Sequence, residues 1–265
     1  MQLLIAFCFC LITMIGLWVW QRRSGRADWV DVAWAALIGL QALAWALIGD
    51  GALEKRILVV LLAGTWSLRL TFHLAGRLAR ESSEDGRYQA MREHFGHRQQ
   101  SFLFLFFLTQ AVVAWLFALP AWVVAHDPSP YLSGWVIAGV VVWFASLAGE
   151  SIADRQLAAF RADPDNRGKV CQAGLWRYSR HPNYFFEWLH WFSYPLVAVG
   201  APNAWVAWLA PVVMLLFLYR VSGIPYTEKQ ALKSRGEAYR AYQRTTSAFV
   251  PWPPRGQGTG RGREG

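Results

Sequence analysis

Apolar residues along this chain come in blocks of about 18 to 25, the length a helix needs to cross a hydrocarbon core of roughly 30 Å. Seven such blocks run at about 3–20, 29–49, 57–76, 101–125, 132–152, 184–200 and 203–223, with shorter polar and charged stretches between them. Blocks of this length exceed any strand, so the pattern predicts an all-α, polytopic membrane bundle of about seven transmembrane helices. The first block has neither a basic leader nor an Ala-x-Ala cleavage pattern, and it reads as a retained span. No repeat or linker divides the chain. Residues 1–252 read as a single membrane domain, and 253–265 (PPRGQGTGRGREG) as a flexible Gly/Arg-rich tail.

Composition agrees with the pattern. Of 265 residues, 55% are hydrophobic and 16% charged, against roughly 25% charged in a soluble domain. The apolar content excludes disorder. Three cysteines, two of them (Cys8, Cys10) inside the first apolar block, exclude a disulfide scaffold.

The net charge of +9 first points to acidic partners, but its distribution gives it another meaning. Of the 26 Lys and Arg residues, 23 fall in 21–28, 77–100, 153–183 and the segment from Arg220 onward. Positive charge in short loops sets membrane orientation, so these regions are expected in the cytoplasm and the N-terminus in the periplasm. No basic face with interleaved aromatics lies outside the blocks, so no nucleic-acid partner is expected. Dinucleotide, P-loop and serine-hydrolase motifs are absent, and no HxxxH or CxxC spacing points to a metal.

Ionisable groups at bilayer depth cost a few kcal/mol even on lenient scales, so each one is a candidate for function. Asp31 opens the second block, in WVDVAWA. Arg69 and His73 are four apart in WSLRLTFHL, as are Glu150 and Asp154 in LAGESIADRQL, while Glu187 and His190 lie in PNYFFEWLHW. Plainer readings stand beside these. Asp31 is either a helix cap or a member of a site; Arg69 either snorkels to the interface or acts at depth; His190 reads as a bundle residue.

The segment 154–191 holds six cations against Asp154, Asp163 and Asp165, in a loop that re-enters the membrane. Such a loop suits a ligand with several negative charges, since Arg offers a planar fork to phosphate and Lys a point charge. Asn183 at a helix start can bind an anion or an orphan N–H, and Trp176, Tyr178 and Tyr184 can stack on a flat ring. The competing reading is a cytoplasmic loop touching lipid headgroups. Glu187, one turn below Asn183 and on the same face, argues for a site.

The string GLWRYSRHPNYFFEW resembles the C-terminal signature of the steroid 5-alpha-reductase-like membrane family, in particular its bacterial branch. The resemblance extends to DVAW at 31–34, WSLRLTFHLAGR at 66–77, ESIADRQLAAFR at 150–161 and GEAYRAYQRTTSAFVPW at 236–252. It implies a seven-helix reductase of a bacterial inner membrane, with NADPH held on the cytoplasmic side by about 150–252 and a lipophilic substrate entering from the bilayer. By this resemblance Asp154, Arg161, Lys169, Tyr178, Asn183 and Glu187 bind the cofactor, with Arg180 and His181 as local additions. The implied reaction is hydride transfer to the β-carbon of an α,β-unsaturated ketone while an acid polarises the carbonyl. Asp31 matches the family's N-terminal carboxylate. Trp66 stands where the family has a Tyr, which leaves Arg69, His73 or Tyr88 to supply the missing donor. RHPxY also occurs in membrane methyltransferases, and TEKQALKSRGEAYRAY resembles their ending, so a methyltransferase using S-adenosylmethionine is the alternative.

Overall fold

A computed structural model describes residues 1–129, 133–221 and 223–255. The chain is helical, and among these residues the one isolated β-bridge joins Ser179 to Ser247. Of the expected tail, 253–255 are described and 256–265 lie outside the described residues.

Six helical stretches among the described residues are long and apolar enough to cross a membrane. They comprise α1 (Gln2–Ser24), α2 (Trp29–Ile48), α3 (Leu53–Val59) running through a π-helical turn into α4 (Thr65–Arg80), α5 and α6 (Gly86–Phe95, Gln99–Ala125), α7 (Gly134–Ala162), and a final stretch, 204–245. The predicted bundle is thus observed, with one difference in count. The expected span at 184–200 is no continuous helix: α8 (Pro182–His190) ends in a tight turn, and α9 (Ser193–Val197) follows. Pro195 explains the break, because in a continued helix it would lack the N–H owed to Trp191 O and its ring would press on that carbonyl. The final stretch contains α10 (Leu209–Leu216), a π-helical turn and α11 (Ile224–Thr245).

The backbone groups into two compact units, residues 1–137 with 194–210, and 138–193 with 211–265. Within the first unit, α1 ends on Gly25, which takes the left-handed φ of 73° that a C-cap requires, with Arg22 and Arg23 in the last turn facing the negative end of the dipole. Aromatic edges join α1 to α6, through Phe7 with Trp115 and Trp18 with Phe104. Small residues set the distance between α2 and α4: a Cβ on Gly39 would lie 2.1 Å from Ser67 Oγ, which donates to Ala35 O at 2.8 Å. Close approach through small residues is how helices associate in lipid, where apolar burial alone gives no drive. Lys55 and Asp127 form an ion pair of 2.9 Å, both buried, and Lys55 Nζ also donates to Val197 O at 3.2 Å. Charges so deeply buried persist only when paired and hydrogen-bonded.

In the second unit, α7 and α8 touch at Gly149, where an added Cβ would meet the Phe186 ring at 2.4 Å. The loop between them is pinned to α7: Trp176 Nε1 donates to Ala153 O and Leu175 N to Gln156 Oε1, each at 2.9 Å. From the other side the Tyr242 hydroxyl of α11 donates to the Trp176 and Ser179 carbonyls. These fastenings hold the residues of the RHPNY motif in place.

Candidate functional site

The candidate residues of the first unit meet where α2 begins. Asp31 stands in the first turn of α2 while Asp28 takes the cap position, so the capping alternative for Asp31 does not hold. Its carboxylate accepts from the Tyr88 hydroxyl at 2.9 Å and from Arg87 Nη2 at 2.7 Å. Tyr88 is buried, whereas the side chains of Asp31 and Arg87 remain 23% and 28% exposed. The arrangement places a phenol proton on a carboxylate that a guanidinium neutralises. Arg69 lies half-buried on α4.

Around the pair runs a network that the sequence reading missed. Asp28, fully buried, holds Arg26 at 2.9 Å and accepts from Asp85 N. Asp85 caps α5 through Arg87 N and also meets Arg77 and Arg87 side chains. Burial alone would raise the Asp85 carboxyl, but Arg87 and Arg77 outweigh it and hold the group below the usual aspartate range. Glu84 binds Arg92 at 2.8 Å and accepts from Ala27 N. Most of the charge in the 77–100 loop is thereby spent on fastening the loop to the ends of α1 and α2. No motif announces this, because the links that join the loop to α2 and its approach, Asp28 to Asp85 N, Glu84 to Ala27 N and Asp31 to Arg87, span more than fifty residues.

The eight candidates of the second unit fall into three groups. Asp154 on α7 and Asn183 at the start of α8 are joined, with Nδ2 to Oδ1 at 3.1 Å, and Asn183 Oδ1 accepts from Tyr184 N. Glu187 sits one turn further along α8 and accepts from Trp191 Nε1 at 3.0 Å. Arg180 and His181 share Glu228 of α11. Arg180 Nε is 2.6 Å and His181 Nε2 3.4 Å from Glu228 Oε1, and Arg180 also donates to the Gln243 and Thr246 carbonyls. These two residues are thus occupied in tying the motif to α11. His181 further stacks on Tyr184, with ring centroids 5.4 Å apart. Tyr178 is exposed.

The third group is a cleft of about 350 Å³ at the end of α7, lined by Arg161 and Lys169 from the candidate set and by Arg167 and Arg235, which sequence reading did not single out. Arg235 precedes Gly236, whose φ of 51° breaks α11, and its Nε donates to Lys169 O at 2.8 Å. Among the described residues neither Arg167 nor Lys169 has an acidic partner, and the lining carboxylate of Asp163 accepts from Asp165 N and Asn166. Four cations face one acid here, a setting for phosphate oxygens. No group of three metal-ligating side chains occurs among the described residues.

Residues 17–246 match the family described as Protein of unknown function (DUF1295). The chain belongs to the DUF1295 family. It is also 22% identical to an uncharacterized protein of Schizosaccharomyces pombe, in a match covering 89% of this chain and 75% of the relative. All the candidate residues of this DUF1295 protein, from Asp31 to Glu187, fall inside the matched range.

Proposed function

We propose that this DUF1295 protein is a membrane-embedded reductase that transfers hydride from NADPH to the C=C bond of a lipophilic α,β-unsaturated ketone. The observation that carries the reading is the cationic cleft at the end of α7, where Arg161 and Lys169, chosen from the sequence as cofactor ligands, share one lining with Arg167 and Arg235. In this reading these side chains take the phosphates of the dinucleotide. Asp154 and Asn183, on the helices beside that lining, orient its polar groups. In this reading the cation-rich loops are cytoplasmic, as the positive-inside rule expects, so the cleft faces the compartment that holds NADPH and the protein belongs to an inner membrane.

The second requirement is a group that polarises the substrate carbonyl. Here the reading assigns the Tyr88 hydroxyl, held by Asp31. As hydride reaches the β-carbon, charge develops on the carbonyl oxygen, and a phenol can stabilise or protonate it. Within the pair the Tyr88 hydroxyl donates to Asp31, so the phenol is the donor. Proton uptake at the α-carbon completes the reduction, with NADP⁺ as the oxidised product.

Thermal unfolding of the purified protein tests the cofactor half. NADPH should stabilise it, by an amount that grows with concentration above Kd, and Asn183→Ala should weaken that effect. Stabilisation by S-adenosylmethionine with indifference to NADPH would overturn the reading in favour of methyl transfer. Consumption of NADPH with a panel of lipophilic enones tests the other half.

A further inference from the structure

The segment after α11 carries none of the side chains named in the proposed reaction. Residues 247–255 return along the 178–188 stretch as an extended strap, joined by Arg180 N to Ser247 O at 2.8 Å, Ser179 Oγ to Phe249 O at 2.7 Å and Trp252 N to Tyr178 O at 2.9 Å. Phe249 is buried, its ring 5.2 Å from Tyr219 and 5.5 Å from Trp188. Tyr219 and Arg220 stand where the last apolar run gives way to the polar helix α11. The Phe249 contact therefore sets the strap at the level of the headgroups, where a span meets water.

Two side chains of the strap turn away from the protein: Val250 is 49% and Trp252 68% exposed. Such exposure is costly in water and ordinary at the headgroup level, where an indole keeps its ring in the acyl boundary and its N–H wet. Between the strap and the last turn of α11 lies a cleft of about 330 Å³, lined by Arg180, Arg244, Arg255, Thr245, Ser247 and Trp252 among others. Arg180 and Arg244 have acidic partners in Glu228 and Glu237, but Arg255 has none among the described residues, so the lining keeps positive charge. Guanidinium forks and hydroxyls are the groups that phosphate oxygens accept from.

We propose that this cleft binds the headgroup of an anionic phospholipid, with the phosphate among Arg244, Arg255 and the hydroxyls and the acyl chains beside Trp252 and Val250. The proposal stands apart from the reductase reading; of the cofactor candidates only Arg180 lines the cleft, and it is held by Glu228.

Native mass spectrometry of the full chain in neutral detergent tests it, with phosphatidylglycerol and phosphatidylcholine of matched acyl chains as probes. One phosphatidylglycerol should be retained at least about tenfold more tightly than phosphatidylcholine. Each arginine removed should cost about fivefold, as for a cation beside an anionic surface, so R244A/R255A should bind both lipids alike. R255K should retain the preference, and W252A should weaken both lipids equally. Arg255 and Trp252 are exposed, so their variants should keep the fold. Equal retention of the two lipids by wild type, or an unchanged preference in R244A/R255A, would overturn the proposal. So would displacement of the lipid by inorganic phosphate or by NADPH, which would assign the cleft to a soluble phosphate.

Discussion

The loops at 77–100 and 153–183 look alike in sequence, each a basic stretch between apolar blocks, yet the fold treats their charges differently. In the first, Arg77, Arg87 and Arg92 are each matched to a carboxylate, and the carboxylates in turn cap α5 and receive backbone N–H groups. In the second, Arg180 is similarly consumed by Glu228, but Arg167 and Lys169 have no acidic partner among the described residues and line a cleft with Arg161 and Arg235. The positive charge of both loops fits the positive-inside pattern. Arg80 and Arg98 of the first loop also have no acidic partner among the described residues, but in the second loop the unpaired cations line a cleft, which is why the cofactor reading rests there.

The comparison can be broken at four places. The largest effect is expected from Asp28→Ala, which leaves Arg26 and the Asp85 N–H without their buried acceptor. Arg26 is 24% exposed and keeps the Leu78 and Glu81 carbonyls, so the main cost is the unsatisfied donor, about 2 kcal/mol, and the apparent melting temperature should fall by several degrees. A variant as stable as wild type would show that the first loop's charges are not structural.

Next is Tyr88→Phe. It should lower enone turnover about a hundredfold, the scale of a general-acid contribution, while NADPH still protects against unfolding. Loss of cofactor protection in step with turnover would make Tyr88 structural.

Arg167→Ala and Lys169→Ala should each weaken NADPH binding about tenfold, or roughly 1.4 kcal/mol. Stability without ligand should change by less than about 0.5 kcal/mol, as for surface positions away from special features. A loss of stability with no change in affinity would erase the difference between the two loops.

The smallest effect concerns pH. Because Asp85 is held below the usual aspartate range, its contribution is fully present above about pH 4 and fades as pH falls through the lowered value. The melting-temperature difference between wild type and Asp85→Asn should therefore be constant from pH 8 to 5 and shrink as pH falls below about 4. A difference that grows on acidification would contradict the assignment.

Much of the site was legible as membership and little of it as partnership. Asp31, Asp154 and Asn183 stand out as polar groups in or beside apolar runs, and Tyr88 enters only through the resemblance, as one of three candidate donors; the structure joins Asp31 with Tyr88 and Asp154 with Asn183. Arg180 and His181 stood out in the same motif, but both are tied to Glu228, on a helix that sequence reading had treated only as a resemblance. Arg235 was passed over because it lies in an ordinary polar helix. A break at Gly236, visible only in the folded backbone, marks its place beside Lys169.

Hydrophobic periodicity and loop charge are local or additive properties of a chain, and the bilayer reads them directly. They were enough to determine an all-helical membrane protein, its long apolar spans and the clustering of its cations. Whether a given cation is spent or spare depends on which carboxylate arrives beside it from elsewhere in the chain. That is decided by close contacts such as Gly39 on Ser67 and Gly149 on Phe186, and by the turn that Pro195 imposes between α8 and α9. Those contacts exist only in the tertiary structure, because they join residues whose separation along the chain carries no periodic signal.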